Sequence, residues 1–69
     1  MQVTATMAGT VLTVLVEKDE MIKEGQEVIM IESMKMEIPI ESTGAGKVKE
    51  VHVQAGDFVN EGDVLITIE

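Results

Sequence analysis

Two stretches of equal length decide how this chain folds: residues 3–32, "VTATMAGTVLTVLVEKDEMIKEGQEVIMIE", and residues 40–69, "IESTGAGKVKEVHVQAGDFVNEGDVLITIE". Laid on each other without a gap, 37 positions apart, they agree at 11 of 30 places. The identities are Thr6/Thr43, Ala8/Ala45, Gly9/Gly46, Val11/Val48, Val14/Val51, Val16/Val53, Glu24/Glu61, Gly25/Gly62, Ile29/Ile66, Ile31/Ile68 and Glu32/Glu69. Two copies are too few for a solenoid, so a pseudo-twofold is expected, each copy covering the apolar face of the other.

The matched valines and isoleucines, Val11, Val14, Val16, Ile29 and Ile31 with Val48, Val51, Val53, Ile66 and Ile68, form the expected core. All are β-branched and suit strands. Val14/Val16 and Ile29/Ile31 keep the period of two, whereas the three-residue step from Val11 to Val14 predicts a β-bulge. Residues 17–27, "EKDEMIKEGQE", are helical in composition, but their mates in copy two include Gly56. A shared backbone makes both segments loops, each with a buried apolar pair, Met21-Ile22 and Phe58-Val59. Asp19 stands where copy two has Gly56, and Asp tolerates the left-handed conformation a glycine there suggests. The expected fold is all-β: a flattened β-sandwich or barrel of two antiparallel halves, with turns at the glycines and no helix.

Sixty-nine residues make one domain, near the lower size limit for a fold held by its core alone. No cysteine is present, which excludes disulfides and thiolate metal sites. A formal charge of −8 with a single aromatic residue argues against nucleic acid and anionic membrane as partners. The acidity serves solubility or an acidic docking face. No apolar run reaches membrane-spanning length and no signal-peptide pattern opens the chain, so a cytoplasmic monomer is expected.

Outside the two copies lie residues 33–38 and the Pro39 that precedes copy two, within "IESMKMEIP", Ile31 to Pro39. The stretch links the last strand of copy one to the first of copy two, as a hairpin at one end of the sandwich. Ser33 is the only common turn residue near its tip, and a local sequence conflict of this kind is expected at a functional site. Lys35, between Met34 and Met36, is the candidate. The methionines are either core fillers or recognition elements, with at least one expected to be exposed. Strand alternation is expected to aim the lysine, so that an amine moved by one position faces the other way. Glu32 recurs as Glu69, which favours a structural or solvating role over acid–base work with Glu37. His52, the only histidine, aligns with Leu15 and has no nucleophile or metal-ligand spacing around it. Gly44-Ala45-Gly46 is not followed by a helix and is expected to be a turn, not a phosphate cradle.

"ESMKME" resembles the modification site of the biotinyl domains, in which Met-Lys-Met marks the biotinylated lysine. The related lipoyl domains share the two-copy sandwich and generally carry Asp before the lysine. The resemblance extends over nearly the whole chain: the repeat, the glycines at 25, 44, 46, 56 and 62, and Lys35 set 34 residues before Glu69. It departs at Ser33, where the family commonly has Ala, and at Asp19, where it has Gly. It implies a single biotinyl/lipoyl attachment domain over residues 1–69, a barrel-sandwich hybrid with its modified hairpin at 33–39. It further implies a non-catalytic carrier, of the free-standing biotin/lipoyl attachment type, that holds covalent biotin on Lys35 and moves a carboxyl group between the active sites of a carboxylase. Met34 and Met36 would be read by a biotin–protein ligase, and the partners would be biotin carboxylase and carboxyltransferase components. A free lysine amine has a pKa of about 10.4, so the ligase would supply the base and the activated acyl-adenylate. The alternatives are lipoate on the same lysine, added by lipoylating enzymes, or an unmodified acidic interaction module.

Overall fold

The repeat becomes geometry in the computed structural model, which describes Met1–Glu69 as eight strands without a helix: β1 (Gln2–Thr4), β2 (Gly9–Val14), β3 (Met21–Ile22), β4 (Glu27–Ser33), β5 (Met36–Glu41), β6 (Gly46–Val51), β7 (Phe58–Val59) and β8 (Val64–Ile68). They form two four-stranded antiparallel sheets, in the orders β1-β8-β6-β3 and β5-β4-β2-β7. Each order is the other with every strand replaced by its repeat mate. The flanking strands are exchanged: β1 and β3 of copy one border the β6–β8 pair of copy two, while β5 and β7 of copy two border β2–β4. Each copy thus completes the other's sheet as well as facing it. The 17–27 segment and its mate are turns joined to the two-residue strands β3 and β7.

Hydrogen bonds repeat with the same displacement. The Asp19 N–H donates to the Val48 carbonyl at 2.7 Å and the Gly56 N–H to the Val11 carbonyl at 2.8 Å. Asp19 has φ 75° and Gly56 φ 97°, so the aspartate takes the left-handed conformation expected of it. Four turns are closed by side-chain carbonyl or carboxylate oxygens. Glu17 N–H donates to Glu20 Oε1 and Gln54 N–H to Asp57 Oδ2, both at 3.0 Å; Lys23 N–H donates to Gln26 Oε1 at 3.0 Å and Asn60 N–H to Asp63 Oδ2 at 2.8 Å. Side chains that differ by a methylene do the same work at Glu20/Asp57.

The core contains Val11, Val16, Ile29, Ile31, Val48, Ile66 and Ile68 as expected, whereas Val14, Val51 and Val53 pack against it half-buried. The bulge expected after Val11 lies between Val11 and Thr13, and its mate between Val48 and Glu50. A second pair of irregularities leaves Val28 and Leu65 unpaired between registered neighbours. An extra residue breaks the period of two, so Val28 and Ile29, like Leu65 and Ile66, are consecutive and all fully buried. The loop pairs need a correction. Ile22 and Val59 are buried, but Met21 and Phe58 are 69% and 66% exposed. Two residues in one strand face opposite sides of the sheet, so only one of each pair reaches the core.

Candidate functional site

The β4–β5 hairpin is fixed from below and strained at its end. Its ladder runs Ile29↔Ile40, Met30↔Pro39, Ile31↔Ile38, Glu32↔Glu37 and Ser33↔Met36, and Ile29, Ile31 and Ile40 anchor it in the core. Ser33 and Met36 close a two-residue turn whose central residues are Met34 (φ 54°) and Lys35 (φ 65°). Positive φ at both positions is the demand of a type I′ hairpin turn, normally met by Asn and Gly. A side chain held there costs about 1–2 kcal/mol per residue, a large sum for a domain whose total stability is on the order of 5 kcal/mol. The conformation persists because the ladder beneath leaves the two residues no other way across. The expectation that strand alternation aims Lys35 is therefore corrected: the lysine lies in the turn itself, and its left-handed backbone sets its direction.

Lys35 is exposed. The chain's single ion pair joins Lys47 and Asp19 at 3.8 Å, so no carboxylate holds the Lys35 amine. Met34 is 91% and Met36 60% exposed, which removes both from the role of core filler. Glu32 and Glu37 face each other one pair below the turn, both exposed. Like charges directly opposite are unfavourable in a ladder, and nothing in the fold requires them there. The turn thus presents one unpaired primary amine flanked by two thioethers on a rigid stem. That arrangement suits a lysine that is acylated and then carried, with no pocket of its own.

His52 belongs elsewhere. It follows β6 in the sheet that does not contain the hairpin, its Nε2 lies 2.7 Å from Thr67 Oγ1, and with Val51, Val53, Gln54 and Asp57 it lines a shallow depression. Thr43 and Gly44 form a bend tied by the Ser42 hydroxyl, which donates to the Gly44 carbonyl and accepts from its N–H. Gly46 already opens β6. The sequence signal for the turn was the lack of Gly, Asn and Asp near Lys35; that Met34 and Lys35 themselves take positive φ was not legible, because neither residue type favours it.

The chain is similar to known proteins along nearly its whole length. The Biotin_lipoyl family, described as biotin-requiring enzyme, matches residues 1–68. The biotin/lipoyl attachment protein of Bacillus subtilis is 53% identical over 68 residues, spanning 99% of this chain and 93% of its own length. The biotin carboxyl carrier protein of Streptococcus mutans is 47% identical over 64 residues, which cover 93% of this chain and 49% of that protein. Among solved structures, Kluyveromyces lactis urea carboxylase superposes on 100% of the chain with a TM-score of 0.93 and 28% identity, through 6% of its own chain.

Proposed function

Because the chain belongs to the Biotin_lipoyl family, we propose that it is a non-catalytic carrier domain over residues 1–69, holding biotin in amide linkage on Lys35. The observation that carries this reading is the exposed, unpaired amine at the end of a strained turn on a core-anchored hairpin. Exposure gives a ligase access, and the stem fixes where the amine stands. Lys35 Nζ, once deprotonated by a base that the ligase supplies, attacks the carboxyl carbon of the acyl-adenylate; the C–N amide bond forms, the C–O bond to the phosphate breaks, and AMP leaves. The lysine's own contribution is position: a nucleophile misplaced by about 1 Å can lose roughly 10²-fold in rate. Met34 and Met36 offer the ligase a flexible apolar contact on both sides of the amine.

Bound biotin would supply carboxyl-carrying chemistry, exchanged with the biotin carboxylase and carboxyltransferase components of a carboxylase. The chain's part is to hold the group on a short tether and so keep its local concentration high. The exposed turn, with exposed Glu32 and Glu37 beneath it, leaves room for two different active sites to receive it in succession. A cytoplasmic location belongs to the same reading. No helix is long and apolar enough to cross a membrane.

A second reading, lipoate on the same lysine, is favoured by the name of the 53% identical Bacillus subtilis relative, which joins both groups. Intact mass after expression with biotin and lipoate ligases both present decides the matter. A biotin adduct absent from the Lys35→Arg variant is expected, since guanidinium keeps the charge and is not acylated at neutral pH. A lipoyl adduct would establish the second reading, and a bare chain would overturn both.

A further inference from the structure

The turn carries two thioethers whose sulfur chemistry the carrier reading leaves unused. Met34 is the most exposed large apolar side chain of the molecule at 91%, and Met36 is 60% exposed. Neither belongs to the buried core. Met30, three ladder pairs below Ser33↔Met36 and opposite Pro39, is half-buried and provides an internal reference. Oxidation of methionine follows exposure, and the sulfoxide it yields is polar, chiral and enzymatically reducible.

We propose that Met34, with Met36 beside it, is a reversible oxidation site through which peroxides slow the loading of Lys35. This rests on the carrier reading and adds a regulation to its site. The thioether sulfur gives two electrons to a peroxide: the O–O bond breaks, an S–O bond forms, and the second oxygen leaves as water or an alcohol. A dithiol-dependent methionine sulfoxide reductase reverses the step, releasing water and leaving a disulfide on the reductant side. The fold tolerates the change, because both side chains point away from the core and the turn is held by backbone pairing. The partner surface does not: a contact suited to a thioether must then take up a sulfoxide oxygen that wants a hydrogen-bond donor.

The test treats unmodified full-length protein with hydrogen peroxide, removes the oxidant with catalase, maps sulfoxides by peptide mass spectrometry, and measures initial rates of biotin transfer to Lys35 by purified ligase. Sulfoxide is expected on Met34 and Met36 well before Met30, with strands unchanged by circular dichroism. Labelling should fall about tenfold, the factor that corresponds to ~1.4 kcal/mol of lost complementarity, and methionine sulfoxide reductase should restore it. The double variant Met34→Leu with Met36→Leu is compared with itself before and after peroxide, and the ratio should be near one although Met1, Met7 and Met21 still oxidise. Unchanged labelling once Met34 is sulfoxide overturns the proposal, as does an equal loss in the double variant. No biotin on Lys35 before oxidation overturns the carrier reading and this proposal with it.

Discussion

At the residue scale, Met34 and Lys35 show a cost accepted for position. Both occupy left-handed backbone, φ 54° and 65°, which about 1–2 kcal/mol per residue opposes. Glycine would remove that penalty but adds about 0.5–1 kcal/mol of unfolded-chain entropy, so Met34→Gly should stabilise the domain by roughly 0.5–1 kcal/mol net. An equilibrium urea titration reads this as a higher midpoint at unchanged slope; a lower midpoint would show that the Met34 side chain holds the turn in place. Exchanging the two residues, Met34→Lys with Lys35→Met, keeps composition and charge while moving the amine's origin by about 3.8 Å along the chain. Since a nucleophile misplaced by ~1 Å can lose on the order of 10² in rate, the exchanged protein should fold normally and be labelled at least that much more slowly. Labelling at the original rate would mean that the ligase finds any accessible amine on the turn.

At the scale of elements, the pairing of β2 with β4 sets the height of the hairpin, and Gly9, next to the end pair Thr10↔Glu32, lies close against the Glu32 backbone. A Cβ built on Gly9 would lie 2.5 Å from the Glu32 carbonyl oxygen, and one on its mate Gly46 2.6 Å from the Glu69 carbonyl oxygen. Both obstacles are backbone, which cannot swing aside as a side chain does. Gly9→Ala and Gly46→Ala should each therefore cost on the order of 1–3 kcal/mol, read as similar shifts in thermal midpoint. Only Gly9→Ala should also slow labelling, because Glu32 leads directly into Ser33 and the turn. Equal labelling of the two variants would separate the stem's height from the presentation of Lys35. The identity Gly9/Gly46 was plain in the sequence; its cause, a close backbone approach, was not. The same holds for Val28 and Leu65, whose burial depends on an unpaired residue in each ladder, and for Val3 and Ile40, buried repeat mates that differ in identity and so stand outside the matched positions. What was legible was whatever the two copies share: the matched valines and isoleucines, the bulge after Val11, the left-handed Asp19, and the leftover segment that became the hairpin.

On the scale of the whole molecule, the pseudo-twofold relates the hairpin to the place where the two chain ends meet. Met1 is the mate of Ile38, and its ammonium donates to the Ile68 carbonyl at 2.9 Å while the Ile68 N–H donates to the Met1 carbonyl at 2.7 Å. This is the pairing of Ile31 with Ile38 repeated at the other end. By the same displacement, Glu69 is the mate of Glu32, so a Ser-Met-Lys-Met-Glu linker from Glu69 to Met1 would copy residues 33–37. The Met1 nitrogen becomes a peptide N–H and still donates to Ile68. A backbone-cyclised chain built in this way should fold, unfold at a higher urea midpoint because its unfolded state is more restricted, and take up two biotins, one on Lys35 and one on the linker lysine. Intact mass and peptide mapping of the adducts give the result. A single label on Lys35 from a chain that keeps its strands would show that stem and turn are not sufficient, and that features of one copy alone, such as the exposed Phe58 beside Thr10, complete the surface the ligase reads. Two labels at similar rates would locate recognition in what the copies share, the core-anchored ladder and the strained turn it supports.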